Sequence, residues 1–504
     1  MLFFPLLAIL LLVGRFLIGL FINIRQIRHH QRSDVPNIVK YVMTDNDFKQ
    51  MNAYAIDNAK FAIVKDLSDL ALTLIIILGK VYPKVWLLTG RIALKILGTS
   101  QFWQTSLFLS VCIIFDTICA IPLHYYKIFV IEQKFGFNKQ TKRMFISDNI
   151  SSLLIKPIIL VVIINIIFIV LEKRFGGEYY WVFGFAIFTI FIVLFNIIMT
   201  FSVGKIIPLE QIDQEMYQAV KQVCNKCDFD TKHIIVSEGS KRSAHSNAQI
   251  MDIFGIRKVI LFDTLVELAG VDCSVKFKEL QNKKKDETKP LLNIEQTEQN
   301  NQNDKNKEEE TNIAIPKLLD NNNIIAAISH EIGHQKYNLL LLFYLFSLLH
   351  KSDLFAQIFG FIGDNGERIE YRQSVFDLLG ILSVVIPIIS LLNCVRNTLQ
   401  RHMELQADQY SARQGYGQDL GSILVKIFQE NLKDLNPDPI YSFFYDDHPI
   451  LQDRMNALGW IGDESLVEKR IETRRLIKEY NEKKEKLKEE ENKKLIEQQK
   501  EKKK

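Results

Sequence analysis

Long apolar blocks, separated by charged tracts, constrain this 504-residue chain more than any other feature. Inside a bilayer no water is available to backbone N–H and C=O groups, so a crossing segment must satisfy them internally, as a helix does. At about 1.5 Å of rise per residue, a hydrocarbon core of about 30 Å calls for about 20 apolar residues. Blocks of that size occur at 2–24, 69–89, 102–125, 152–172, 181–203, 337–361 and 375–396. The first carries one interior charge, Arg15, and has no small-residue cleavage site, so it reads as a retained span rather than a signal peptide. The expectation is a mainly α-helical, polytopic membrane protein with seven transmembrane helices.

The basic residues give an orientation. Arg25, Arg28, Arg32, Lys40, Lys49, Lys60 and Lys65 lie between the first two blocks, and Lys127, Lys134, Lys139, Lys142 and Arg143 between the third and fourth. The loop after the fourth block has only Lys173 and Arg174, and the one before the seventh only Arg368 and Arg372. Loops rich in Lys and Arg stay in the cytosol. That puts the amino terminus in the lumen and both 204–336 and 397–504 in the cytosol. The formal net charge of +4 averages over unlike parts, and no nucleic-acid partner is expected. Three of the six cysteines (Cys112, Cys119 and Cys394) fall in apolar blocks, so the set is not a disulfide framework. Cys224-Asn-Lys-Cys227 is a lone pair and reads as ordinary reduced thiols.

Between the fifth and sixth blocks, Glu210 to Cys227 has helical spacing, while His233-Ile-Ile-Val-Ser and Lys258-Val-Ile-Leu-Phe read as short strands. From 279 to 312 the chain turns to Lys, Glu, Asn and Gln and has too few apolar residues for a core, which predicts a disordered insertion. Helix resumes near Asn321–Asn323, which are good caps. The expected organisation is therefore 1–203 for five membrane helices with their loops, 204–278 for a first cytosolic part, and 279–312 for the insertion. A helix at 313–336, two membrane helices at 337–396, a second cytosolic part at 397–463 and a Lys/Glu-rich tail at 464–504 complete it.

The helix at 313–336 contains His330-Glu331-Ile332-Gly333-His334. Residues four apart share a helix face, so two imidazoles can grip one metal ion while Glu331 stands beside it as a general base for water. Chance alone gives such a pentad in about one chain per hundred of this composition, so a third ligand has to be found. Soon after the seventh block comes Arg401-His-Met-Glu404-Leu-Gln-Ala-Asp408. If the last two spans are adjacent and antiparallel, Glu404 meets His330 and His334 at the cytosolic side and completes a His, His, Glu zinc site. Asp408, one turn further, can hold a ligand imidazole by its other nitrogen.

These residues, with several other stretches, resemble the type I CAAX prenyl proteases. The stretches are Phe129-Val-Ile-Glu-Gln-Lys-Phe-Gly-Phe-Asn-Lys-Gln-Thr, Glu238-Gly-Ser-Lys-Arg-Ser-Ala-His-Ser-Asn-Ala, Arg257-Lys-Val-Ile-Leu-Phe-Asp-Thr-Leu and His448-Pro-Ile-Leu-Gln-Asp-Arg454. Gln335 stands where that family usually has Trp. The resemblance implies seven helices forming a barrel around a large water-filled chamber, and a cytosolic zinc-metalloprotease domain with a small β element. It implies one Zn2+ per chain on His330, His334 and Glu404, with Glu331 as the base and Asp408 behind the ligands. It further implies that Asn247 holds the substrate backbone, and that His448 and Arg454 steady the tetrahedral intermediate. The implied activity is a zinc metalloendopeptidase that removes the last three residues of prenylated CAAX proteins or peptides at the endoplasmic reticulum and inner nuclear membrane. Membrane lipid is then a partner by location. Two rivals share these residues: a membrane quality-control protease cutting misfolded or translocon-jammed proteins, and a scaffold with a vestigial metal site.

Overall fold

The computed structural model describes residues 3–32, 44–96, 101–174, 206–277 apart from 241–247 and shorter gaps, 354–362 and 393–460, with a few isolated positions elsewhere. Outside the described residues lie the expected fifth span, the insertion at 279–312, the cap at 321–323, the helix at 313–336, most of the last two spans and nearly all of the tail.

Five long helices come first: α1 (Phe3–Arg32), α2 (Asp45–Leu78), α3 (Val81–Ile96), α4 (Gln101–Tyr126) and α5 (Lys142–Arg174). Two of them, over Phe4–Arg32 and Phe102–Glu132, are long and apolar enough to cross a membrane. Their outer faces are what lipid contact demands. Leu10, Leu17 and Phe21 of α1 are exposed, as are Phe115 and Ile118 of α4. On α5, Ile146, Ile150, Leu154 and Ile158 form an exposed stripe at a spacing of one turn.

The apolar block at 69–89 is not one continuous helix. It is divided at Gly79 and Lys80 between α2 and α3, with Lys80 at a φ of 48°. Pro83 explains the break, because it lacks the N–H that an unbroken helix would direct to the Gly79 carbonyl, and its ring would clash there. Gly79 N–H instead closes α2 on the Ile75 and Ile77 carbonyls, and a Cβ at Gly79 would lie 2.6 Å from the Ile75 oxygen. Hydropathy alone does not register such a break.

Among the described residues the β element has four strands, two more than the sequence pattern predicts. They are β1 (Ile206–Pro208), β2 (His233–Ser237), β3 (Ala248–Ile253) and β4 (Ile256–Phe262), in the order β1-β2-β4-β3. The central pair is parallel and runs from His233 opposite Lys258 to Ser237 opposite Phe262, while both outer pairs are antiparallel. The predicted helix at 210–227 is α6 (Gln214–Lys226), preceded by a 3-10 turn at Leu209–Gln211. A short helix α7 (Asp263–Leu268) follows the sheet, and α8 (Leu354–Phe359) comes next among the described helices. After them run α9 (Asn393–Ser411), a π-helical turn (Ala412–Tyr416), α10 (Gly417–Glu430), α11 (Pro439–Tyr445) and α12 (Leu451–Leu458).

One apolar core joins these pieces across the insertion. Ile234, Val236, Val259 and Leu261 from the sheet and Val220 from α6 pack in one cluster with Ile423 and Phe428 of α10 and Leu451 and Met455 of α12. Cys224 is buried in the same cluster, which accounts for that thiol as a packing residue. A second cluster, built from α1 to α4 and α8, centres on Trp86, Phe108 and Phe359.

Candidate active site

The site grows from one face of α9. Asn397, Arg401, Glu404 and Asp408 recur at intervals of three and four, so they lie in a row along one side of the helix. Asn397, Glu404 and Asp408 are buried, which is costly for polar groups unless each finds partners. The partners come from the segment that holds α11 and α12.

The upper half of the row fixes α11. The Asn397 amide donates to the Phe444 carbonyl at 2.8 Å. Arg401 Nη1 donates to the Ser442 and Asp446 carbonyls at 3.0 and 2.5 Å, and its Nη2 donates to Thr398 Oγ1 at 3.0 Å. These carbonyls belong to the last turn of α11 and the residue after it, where helix acceptors run short of backbone donors, although the Ser442 carbonyl also accepts the Asp446 N–H at 3.1 Å. At the other end Asp438 caps α11, accepting from the N–H groups of Ile440 and Tyr441, with Pro439 in the first turn. With both ends held, the chain leaving α11 delivers Asp447 and His448 to the middle of the α9 row.

The lower half of the row is charged. His448 Nε2 lies 3.4 Å from Glu404 Oε1, and His448 Nδ1 lies 2.7 Å from Asp447 Oδ1. Arg454, from α12, donates from Nε and Nη2 to the two oxygens of Asp408 at 2.9 and 2.8 Å. Its Nη2 is also 3.6 Å from Glu404 Oε2. The bidentate pair is fully enclosed, with side chains 4 % and 0 % exposed for Arg454 and Asp408. The hydrogen bond from His448 holds the Asp447 carboxyl below its usual range, against the effect of burial.

Four of the predicted site residues, Glu404, Asp408, His448 and Arg454, are thus brought together. Asp408, predicted to face a ligand imidazole, has both oxygens on Arg454. His330, Glu331, His334 and Asn247 lie outside the described residues. Among the described residues no group of three His, Cys, Asp or Glu side chains is placed to hold a metal ion. The donor chemistry present still fits one, since a buried glutamate carboxylate beside cationic and imidazole groups is a suitable oxygen ligand for zinc.

Sequence reasoning gave no role to Asn397 or Arg401, although their spacing from Glu404 was visible. It also passed over Asp263, which is buried and accepts from the Ser240 N–H at 2.9 Å and the Ser240 hydroxyl at 2.6 Å. That contact ties Ser240, just after β2, to the first residue of α7.

A helical protein with helices long and apolar enough to cross a membrane, and with a buried carboxylate and guanidinium beside a partly exposed imidazole, has the form of a membrane-embedded hydrolase. Two family models match in tandem: "CAAX prenyl protease N-terminal, five membrane helices" over residues 25–209, and "Peptidase family M48" over residues 210–460. The chain belongs to peptidase family M48 and is a metallopeptidase with a membrane-helical amino-terminal domain. It is 27% identical over 456 residues to the CAAX prenyl protease 1 homolog of Oryza sativa, covering 87% of this chain and 93% of that one. It is 26% identical over 479 residues to CAAX prenyl protease 1 of Saccharomyces cerevisiae, covering 90% and 94%. Its fold matches the crystal structure of S. mikatae Ste24p with a TM-score of 0.72 at 24% identity, covering 90% of this chain and 98% of that chain.

Proposed function

We propose that this protein is a zinc-dependent endopeptidase that removes the C-terminal aaX tripeptide from farnesylated or geranylgeranylated CAAX proteins. It acts in the endoplasmic reticulum membrane, with its catalytic centre facing the cytosol. The observation that carries the proposal is the α9 row, which sets buried Glu404 beside His448 and Arg454 in a chain of this family.

His330, His334 and Glu404 would hold one zinc ion per chain, and the bound ion would supply Lewis-acid polarisation and a more acidic water. Glu331 takes the proton from the attacking water and returns it to the leaving amine. His448 stands beside Glu404 with its Nδ1 on Asp447, and in its doubly protonated form an Nε2–H donated to the scissile carbonyl oxygen would stabilise the charge that develops there. Arg454 is a positioning cation: Asp408 fixes its guanidinium, which in turn sits against Glu404. Asn247 immediately precedes β3, one of the two outer strands among the described residues, and an extended peptide can pair along such an edge.

A polar interior at membrane depth favours a chamber enclosed by the seven helices. Arg15, in the middle of α1, pairs with Asp66 at 3.4 Å and donates to Ser390 at 3.2 Å. A Cβ at Gly19 would lie 3.3 Å from both Asp66 Oδ2 and the Tyr445 hydroxyl. Ionisable groups at that depth require water or protein around them. A prenyl chain contributes about 0.8 kcal/mol per buried CH₂, enough to bring a C-terminal peptide to a chamber at the bilayer. Mass spectrometry of a farnesylated C-a-a-X peptide tests the proposal: the full chain in lipid should release the intact tripeptide, and Glu331→Ala should not. Equal cleavage by both proteins, or cleavage indifferent to the prenyl group, would refute it.

A further inference from the structure

The carboxyl-terminal end of α1 carries a second set of charged groups that the peptidase mechanism does not use. Arg25, Arg28, His29 and Arg32 follow the apolar part of the helix at positions i, i+3, i+4 and i+7, so they share one face. Together with Asp438 they line a cavity of about 360 Å³. Arg25 is committed to Asp438, from Nε at 3.3 Å and Nη2 at 2.9 Å. His29 Nε2 meets the Asn436 carbonyl at 3.0 Å. Arg28 and Arg32 have no ion-pair partner among the described residues. Three guanidiniums and one carboxylate leave the lining with two positive charges in excess.

Position matters as much as charge. The cavity opens where the lipid-facing stripe of α1 gives way to polar residues, at the level of phospholipid headgroups once the helix spans the bilayer. A flat basic patch would attract any anionic surface. A concave one with two available guanidiniums can bind a phosphate oxygen pair in bidentate fashion, as Arg does best. Basic clusters just beyond a membrane helix also gain from the negative surface of the leaflet.

We propose that Arg28 and Arg32, backed by Arg25 and His29, form a binding site for the phosphomonoester headgroup of an anionic membrane lipid. The site rests on α1 crossing the membrane and not on the peptidase chemistry. Its far wall is Asp438, the cap of α11, so an occupied site lies against the helix that delivers His448.

Native mass spectrometry of the detergent-purified full chain tests this. The probes are short-chain phosphatidylinositol 4-phosphate, short-chain phosphatidylserine, soluble inositol 1,4-bisphosphate and inorganic phosphate. The expected result is one retained phosphatidylinositol 4-phosphate, bound more tightly than phosphatidylserine. Arg28→Gln with Arg32→Gln should weaken it about thirtyfold, taking a factor of about five for each basic residue at a membrane surface. The double variant should keep the wild-type melting temperature and peptidase rate, which separates lost binding from lost folding. Unchanged phosphoinositide binding by that variant would overturn the proposal. So would equal retention of phosphatidylserine, and so would inorganic phosphate or soluble inositol bisphosphate binding as tightly as the lipid.

Discussion

The two ends of α11 are held by networks of the same chemical type that serve different ends. At the amino-terminal end Asp438 is the hub: it caps the helix and accepts both contacts from Arg25 at 3.3 and 2.9 Å. Its neighbours are equally committed, with His30 fully buried between Asp434 at 2.7 Å and Asn52 at 2.8 Å. At the carboxyl-terminal end Asp408 and Arg454 are paired as closely, and so are His448 and Asp447 at 2.7 Å. Glu404 stands 3.4 Å from His448 and 3.6 Å from Arg454, beyond ordinary charged hydrogen-bond lengths. These looser contacts at Glu404 stand beside the tight Asp408–Arg454 pair, which sets the frame of the site.

That contrast makes graded predictions. The largest effect is expected at the frame. Arg454→Met removes the guanidinium paired with the buried Asp408 carboxylate, at a cost of about 3–5 kcal/mol, seen as a fall in melting temperature in detergent. Asp408→Leu with Arg454→Met should recover most of that stability while leaving catalysis impaired, which separates scaffold from chemistry. His448→Ala comes next and should behave in the opposite way. Release of the tripeptide should fall by about 10²–10³-fold with the melting temperature nearly unchanged, because the imidazole acts on developing charge. Arg401→Ala removes charged donors from the end of α11 and should cost about 1.5–3 kcal/mol, with the loss showing in kcat as His448 drifts.

The smallest effect belongs to Asp438. Asp438→Ala removes a cap worth about 1 kcal/mol and the contact to Arg25, and should leave kcat close to wild type. Its pH signature is distinctive. Burial opposes the charged form of Asp438, but the Arg25 guanidinium and the N–H groups of Tyr441 and Ile440 outweigh burial and hold the carboxyl below its usual range. A carboxyl depressed on folding stabilises fully above its unfolded value of about pH 4 and loses that contribution as pH falls through the folded value. Thermal melts of wild type and Asp438→Asn should therefore converge on acidification and diverge above about pH 4.

Much of this was legible in the chain. Spans at α1 and α4 follow from length and apolarity, and β2 and β4 from short β-branched runs between polar flanks. Glu404 could be placed on a helix after the last apolar block because α9 carries the polar row through to Asp408. What stayed hidden depends on distance along the chain. Asp408 and Arg454 are 46 positions apart, and nothing local in either stretch names the other. The break at Gly79 and Lys80 is a backbone event inside an apolar run. β1 and β3 are short outer strands that gain their identity from the neighbours they pair with. Arg401 was legible as a position but not as a clamp, because its acceptors are backbone carbonyls of another helix.

The most direct test is metal content measured beside tripeptide release. Full-length Glu404→Ala, reconstituted in lipid, should lose bound zinc by elemental analysis and lose release of the aaX tripeptide, while its melting temperature stays near that of zinc-stripped wild type. Wild-type zinc content and release in Glu404→Ala would contradict the assignment of this carboxylate, and with it the purpose read into the α9 row.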